Sequence, residues 1–359
     1  SHYYYNFYNS KYVYNPDVKW ETTITRNIGI DFGFFKERLS GTIDVYWNTV
    51  KDLLVPSDIP GYTGYTKLMT NVGQTSNRGI ELQLNAWLIE TKDFSLNATF
   101  NIGHNKNKID KLASGEKEWI LTSAWRNDVV NSDDYRAYVG GTSGLIYGYV
   151  NDGFYTVADF ESFDSKSRTW KLKEGVVTVD GVSPRPGDIK YQNLRDDGSS
   201  TNRIDTGDGT FDNPGDRKII GNNSLRLQYG INLGVNYKGF DLSVLLQGVG
   251  KRDVWISDAR RWPFNSGQFG SLFKDQLDYW KPVDSANGDW TAANPNAEYF
   301  RIYGQGNNSG YNTRAQTKYL MNGSYLRVKN VTLSYNFPKS WLAPITLTSL
   351  KAFVSCENL

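Results

Sequence analysis

From Leu225 to Tyr237 the chain alternates without a break. Leu225, Leu227, Tyr229, Ile231, Leu233, Val235 and Tyr237 are interleaved with Arg226, Gln228, Gly230, Asn232, Gly234 and Asn236. Successive side chains of a strand point to opposite faces, so this segment has one wholly apolar face and one of polar residues and glycine. At about 3.4 Å per residue the run reaches roughly 44 Å. That is longer than an ordinary globular strand and suits a tilted strand crossing a bilayer with some overhang.

The pattern recurs. Ile28, Ile30, Phe32 and Phe34 alternate with Asn27, Gly29, Asp31 and Gly33, and Leu39, Ile43, Val45 and Trp47 alternate with Ser40, Thr42, Asp44 and Tyr46. Ile80, Leu82, Leu84, Ala86 and Leu88 face away from Glu81, Gln83 and Asn85, and Phe94 to Ile102 oppose Ser95 to Asn101. Two further runs begin at Phe240 and Val331. Short connections join Phe34 to Leu39, Leu88 to Phe94 and Tyr237 to Phe240. Between these hairpins lie long excursions near residues 49–78, 104–144, 157–222 and 251–323. Short turns at one end and long loops at the other are the topology of an outer-membrane barrel.

Composition narrows the alternatives. Lys and Arg number 40 against 38 Asp and Glu, a formal charge of +2, so no basic field or compact basic run attracts nucleic acid. One cysteine, Cys356, excludes a disulfide framework and a thiolate metal site, and two histidines leave little for imidazole chemistry. Mean hydropathy is −0.55, and no apolar run is long enough for a transmembrane helix. A soluble β-sandwich also alternates, because one face packs on a core. Strand length, loop asymmetry and aromatics at strand ends (Trp47, Tyr237, Tyr335, Phe337) argue for the barrel.

Several segments, in order, resemble the C-terminal half of SusC/RagA-type TonB-dependent transporters of Bacteroidota. They are Asn15 to Glu21 with Asn27 to Phe32, Asn71 to Gly73 with Asn77 to Leu82, and Pro186 to Tyr191. Gly215 to Asn222, Tyr237 to Asp241, Ser324 to Val331 and the closing Glu357 to Leu359 continue the series. The resemblance implies an all-β fold, a transmembrane antiparallel β-barrel of 22 strands with a plug domain inside, in the outer membrane of a Gram-negative cell. It also implies a SusD-like surface lipoprotein as partner, energy from TonB with ExbB and ExbD, contact with outer-membrane lipid, and an oligosaccharide or peptide as cargo. About nine or ten spanning strands are expected over residues 1–359, and no plug or TonB box is read in them. The chain is therefore expected to be the C-terminal portion of such a barrel.

Two sets of residues invite a site. Asp205, Asp208, Asp212 and Asp216 lie on a Gly-rich stretch whose carboxylates could supply oxygens to Ca²⁺, though the spacing is not that of an EF-hand. A solvated turn is the plainer alternative. In the long excursions, Trp119, Trp125, Trp262, Trp280 and Trp290, with Arg260 and Arg261, could stack on and hydrogen-bond a sugar or peptide. Equally, those rings could pack the loops together. No nucleophile–base pair or cofactor cradle is visible, so the chain is not read as an enzyme, and no cofactor is required. The sequence reading is TonB-dependent import of an oligosaccharide or peptide. Its alternatives are a passive porin or surface-binding barrel, and a soluble carbohydrate-binding β-protein.

Overall fold

The computed structural model describes residues 12–60, 62, 64–112, 117–121, 134–179, 181–195, 202–205, 207, 215–256, 262, 272–302 and 309–359. Eight antiparallel strands form its main sheet: β1 (Asn27–Phe34), β2 (Leu39–Asp58), β3 (Lys67–Glu90), β4 (Phe94–Lys111), β5 (Leu227–Tyr237), β6 (Phe240–Gly250), β7 (Tyr325–Asn336) and β8 (Lys351–Glu357). They lie in chain order, each beside the next, and the sheet is not closed into a barrel. Two short pieces join it: Thr22–Ile24 pairs with β2 ahead of β1, and Tyr12–Val13 lies parallel to β3. Among the described residues eight long strands make the wall, fewer than the nine or ten expected, and residues 145–156, expected between two loops, lie inside the single excursion from 112 to 226.

Register explains the alternations. Ile30, Ile43, Leu82, Ile102, Tyr229, Gly248 and Leu326 stand side by side across seven strands. The next row is Phe32, Gly41, Leu84, Phe100, Ile231, Leu246 and Val328. Each apolar run falls on one face of one sheet, and its large side chains stay open: Ile30 is 63% exposed, Leu333 44% and Val354 61%. An apolar face this wide and uncovered suits lipid, whereas a sandwich would bury it. Where two rings need room, the adjoining strand carries glycine. A Cβ at Gly248 would stand 2.2 Å from Cζ of Tyr229, and one at Gly41 would stand 2.6 Å from Cζ of Phe32.

Two bulges keep the faces in phase. The apolar residues of β7 change parity between Val328 and Val331, and the register shifts at that point, so both stay on the outer face. On β3 the shift falls between Trp87 and Ile89, and Ile89 stands opposite Leu96. Leu88, read from the sequence as continuing the alternation, is the extra residue of that bulge.

The opposite face is polar and bonded to itself. Thr42 donates to Asp31 at 2.6 Å, Asn27 to Asp44 at 3.1 Å and Thr99 to Asn85 at 3.0 Å. Asn336 donates to Asp241 at 2.6 Å, and Asn236 donates to the same carboxylate. At the short-turn end, aromatic rings make a rim: Phe240 lies 4.5 Å from Tyr335, and Tyr335 5.0 Å from Phe337.

The expected loop near 49–78 is, for most of its length, two strands. β2 and β3 stay paired from Asn48–Asn77 to Asp58–Lys67, past the apolar band. Alternation in the sequence reports a lipid face, not strand pairing, so it falls silent where both faces meet water. β4 likewise continues to Lys111, past the start of the loop expected at 104.

Candidate functional site

β4 and β5 are neighbours in the sheet although residues 112–226 separate them, and β6 and β7 are neighbours across 251–324. Both excursions rise from the same end of the sheet, the end opposite the short turns. The chain that leaves β4 is tied down at once: Ile109 donates to the Gly141 carbonyl at 2.8 Å, and Gly140 returns a bond to Ile109 at 2.7 Å. Arg226 and Asp253 pair at 3.4 Å at the roots of the two excursions, and Asp253 also accepts the Asn222 N–H at 2.9 Å.

The first excursion builds a four-stranded antiparallel sheet from Glu118–Leu121, Tyr135–Tyr138, Leu145–Tyr149 and Arg217–Asn222. On it Tyr147 is fully buried, with the guanidinium of Arg136 at 4.8 Å and that of Arg217 at 4.6 Å from its ring. Smaller hairpins follow at Phe160–Asp164 with Thr169–Leu172, and in the second excursion at Pro282–Asp284 with Asp289–Ala292.

The two excursions share one hydrophobic core. Ile146, Tyr149, Tyr155, Phe160, Ile189 and Tyr191 of the first pack with Trp255, Trp262, Tyr299, Phe300, Tyr311 and Tyr319 of the second. Several hydrogen bonds also cross their seam. Tyr149 N–H donates to Ala315 at 2.8 Å, Arg301 N–H to Gly187 at 2.9 Å, and Ile189 N–H to the Asn312 side chain at 2.7 Å. Tyr191 Oη donates to the Tyr311 carbonyl at 2.7 Å, and Gln316 donates to Tyr191 Oη at 3.1 Å.

Asp188 sits at the centre of this seam with no exposed surface. It lies on a tight turn, where Gly187 has φ of +89° and a Cβ would stand 2.4 Å from the Trp280 ring. Its carboxylate accepts the Arg185 N–H at 2.9 Å and the Asn312 amide at 3.4 Å, with Arg301 Nε at 3.9 Å. Burial pushes its carboxyl up to about 6, against the pull of Arg301, the Arg185 N–H and Asn312. Burial likewise raises the phenols of Tyr155, Tyr191 and Tyr311 far above the usual range.

The residues singled out from the sequence divide. Trp262 and Trp280 are 1% and 2% exposed, so both rings belong to the core of the loop body and present no face to a ligand. Trp262 stands 4.8 Å from Tyr319 and 5.8 Å from Trp255. Trp290 is half-buried, edge-on to Trp170 at 6.0 Å and 6.2 Å from Phe163, which joins the two small hairpins. Trp125, Arg260 and Arg261 lie outside the described residues, as does the Trp119 side chain.

Asp216 is fully buried, and its oxygens accept three backbone N–H groups, those of Leu194 at 2.7 Å, Arg195 at 2.9 Å and Asp205 at 2.6 Å. Three of its roughly four lone-pair directions are thus taken, which makes it a clasp for the loop and a poor ligand for an ion. Asp205 turns its carboxylate back onto the Gly207 N–H at 2.7 Å. Asp208 and Asp212 lie outside the described residues. Among the described residues no three acidic, His or Cys side chains gather as a metal site.

Asp188 lies within the segment Pro186 to Tyr191, and the sequence alone gives it no role. A carboxylate next to a Pro-Gly pair signals a turn that holds its own backbone. Nothing local announces that Asn312 and Gln316 reach Ile189 and Tyr191, more than a hundred residues away.

The sequence matches the family described as TonB dependent receptor-like, beta-barrel over residues 2–181. TonB-dependent receptor P3 of Formosa agariphila is 29% identical over 346 residues, covering 96% of this chain and 30% of that protein. TonB-dependent receptor SusC of Bacteroides thetaiotaomicron is 26% identical over 331 residues, covering 91% of this chain and 27% of that protein. Among solved structures the RagAB peptide transporter superposes with a TM-score of 0.64 at 21% identity, over 96% of this chain and 32% of the matched chain. The chain therefore spans about 30% of the length of the curated relatives it matches.

Proposed function

This chain belongs to the TonB-dependent receptor-like β-barrel family, and from that premise we propose that it serves as wall and outer cap of an energised nutrient importer. Membership places it in the outer membrane of a Gram-negative bacterium, crossing by strands. The observation that carries the functional reading is the pairing of two features: an in-register apolar band across the wall, and a single packed body made from both long excursions at one mouth.

In this reading the wall encloses a polar lumen, and the loop body faces the medium, where cargo arrives. A SusD-like lipoprotein closes the mouth from outside, as the resemblance to SusC/RagA-type transporters implies. TonB, with ExbB and ExbD, supplies the energy through parts of the importer beyond the wall. The cargo is a peptide or an oligosaccharide. The chain performs no covalent chemistry in this scheme. Its polar inner face hydrates the passage, and binding specificity resides in the loops and the lid.

The test uses the intact importer in its native outer membrane. Cells carrying or lacking the gene are given peptide and oligosaccharide mixtures, with and without a functional TonB. Uptake that needs both the gene and TonB supports the reading. Uptake that needs the gene but persists without TonB would make the barrel a passive porin. Co-purification of a surface lipoprotein in detergent tests the lid separately.

A further inference from the structure

The two excursions leave the barrel at different places and could move as separate loops. Above their roots a buried seam joins them, and Asp188 is a fully buried carboxylate within it. The turn from Arg185 to Asp188 belongs to the first excursion, while Asn312 and Arg301 belong to the second. Around that carboxylate three further bonds cross the seam: Ile189 to Asn312, Arg301 to Gly187, and Tyr191 to Tyr311. We propose that Asp188 is a proton-sensitive latch, which holds the two extracellular excursions together more tightly when its carboxyl is protonated than when it is ionised.

With the excursions joined, Asp188 has no exposed surface, and the facing cation, Arg301, stands at the long distance of 3.9 Å. An ionised carboxylate there gives up its hydration for one short N–H bond, one long amide bond and a loose ion pair. With the excursions parted, water would reach it and the ordinary carboxylate range would return.

The titratable and charged groups that face it are Arg185 on its own turn, Arg301 from the second excursion, and Tyr155 and Tyr311 from the elements packed on either side. Both phenols are pushed up by burial, and both arginines carry charge throughout the neutral and acid range, so Asp188 alone changes state near pH 6. The joined form therefore holds the proton more firmly than the parted form, and acid favours joining.

The experiment is hydrogen exchange with mass spectrometry on the full-length protein in detergent, at pH 5 and pH 7.5. Results are expressed as protection factors, so that the intrinsic pH dependence of exchange is removed. The reporters are the Ile189 and Arg301 amides, which bridge the excursions, with β5 amides as internal control. Protection of the bridging amides is expected to be about tenfold higher at pH 5, from a carboxyl shifted from 3.8 to about 6. In Asp188→Asn the difference between the two pH values should vanish. Equal protection of the wild type at both pH values overturns the latch, as does a pH effect of the same size in Asp188→Asn. Should that variant fail to fold, the wild-type comparison still decides.

Discussion

The side chain of Asn71 is bonded to the backbone of Lys19 in both directions. It accepts the Lys19 N–H at 2.7 Å and donates to the Lys19 carbonyl at 2.8 Å, as a strand neighbour would. The same amide reaches the carbonyl of Asp52 at 2.8 Å, beside the register shifts at Leu53 where the β2–β3 pairing is interrupted. One asparagine thus fastens the segment ahead of β1 to an interruption in the wall. Asn71→Ala removes all three bonds, at about 1 kcal/mol each. Exchange of the Lys19 amide should rise more than tenfold while the Val235 and Leu242 amides stay protected. An unchanged Lys19 amide would show that the segment is held by other means.

The two faces of the wall should respond oppositely to charge. Leu233→Arg puts a cation on the apolar face in the middle of β5, at a cost of about 2–4 kcal/mol in the bilayer. Asn232→Arg, one residue away on the polar face, should cost little. Heat-modifiable gel mobility of outer-membrane fractions separates them. The first variant should show a reduced folded fraction and the second should not.

Removing the ring of Trp262 or Trp280 should act on the loop body as a whole. Trp262 fills the core that both excursions share and Trp280 is buried against Gly187, so substitution of either by alanine is expected to destabilise the body by about 3–5 kcal/mol. Limited proteolysis within residues 145–320 should quicken sharply. Trp290→Ala, at the half-buried joint between the small hairpins, should have a smaller effect on proteolysis, by roughly half or more.

Stability of the loop body should pass through a maximum in mild acid. The Asp188 carboxyl is raised by burial, so its contribution is fully present below about pH 4 and is lost as pH rises through 6, on the order of 3 kcal/mol in all. Asp164, Asp284 and Asp289, on exposed turns, are lowered by bonds from Ser167, Asn287 and Thr291 respectively. Their contributions run the other way and fade below the usual carboxylate range. Thermal unfolding of the body, followed by tryptophan fluorescence, should therefore strengthen from pH 7 to pH 5 and weaken again below pH 4. A monotonic fall from pH 7 downward would show that Asp188 does not govern this range.

The wall was readable from the sequence because lipid imposes a one-residue rule. Leu225 to Tyr237 has to alternate, and its partners Phe94 to Ile102 and Phe240 to Leu246 have to alternate in phase with it. The bulge at Leu88 and the parity change after Val328 escape that rule, since a bulge appears only when two strands are compared. The loop body was not readable for a different reason. Trp262 and Trp280 carry the same surface chemistry whether they stack on cargo or on Tyr319 and Gly187, and only the packing partner decides. Asp216 looked like an ion ligand because its neighbours are acidic, yet its oxygens face the N–H groups of Leu194, Arg195 and Asp205.

The adjacency of β4 and β5 across residues 112–226 also bears on biogenesis. Bringing two such distant strands into register during assembly means closing a very long loop, and such closures are slow when the intervening chain is slack. If the outer domain collapses around its tyrosines and tryptophans first, the ends of that loop arrive already close together, and those of β6 and β7 with them. Cap folding would then be the nucleation step for the wall, and a destabilised cap would appear in the cell first as a shortage of inserted protein.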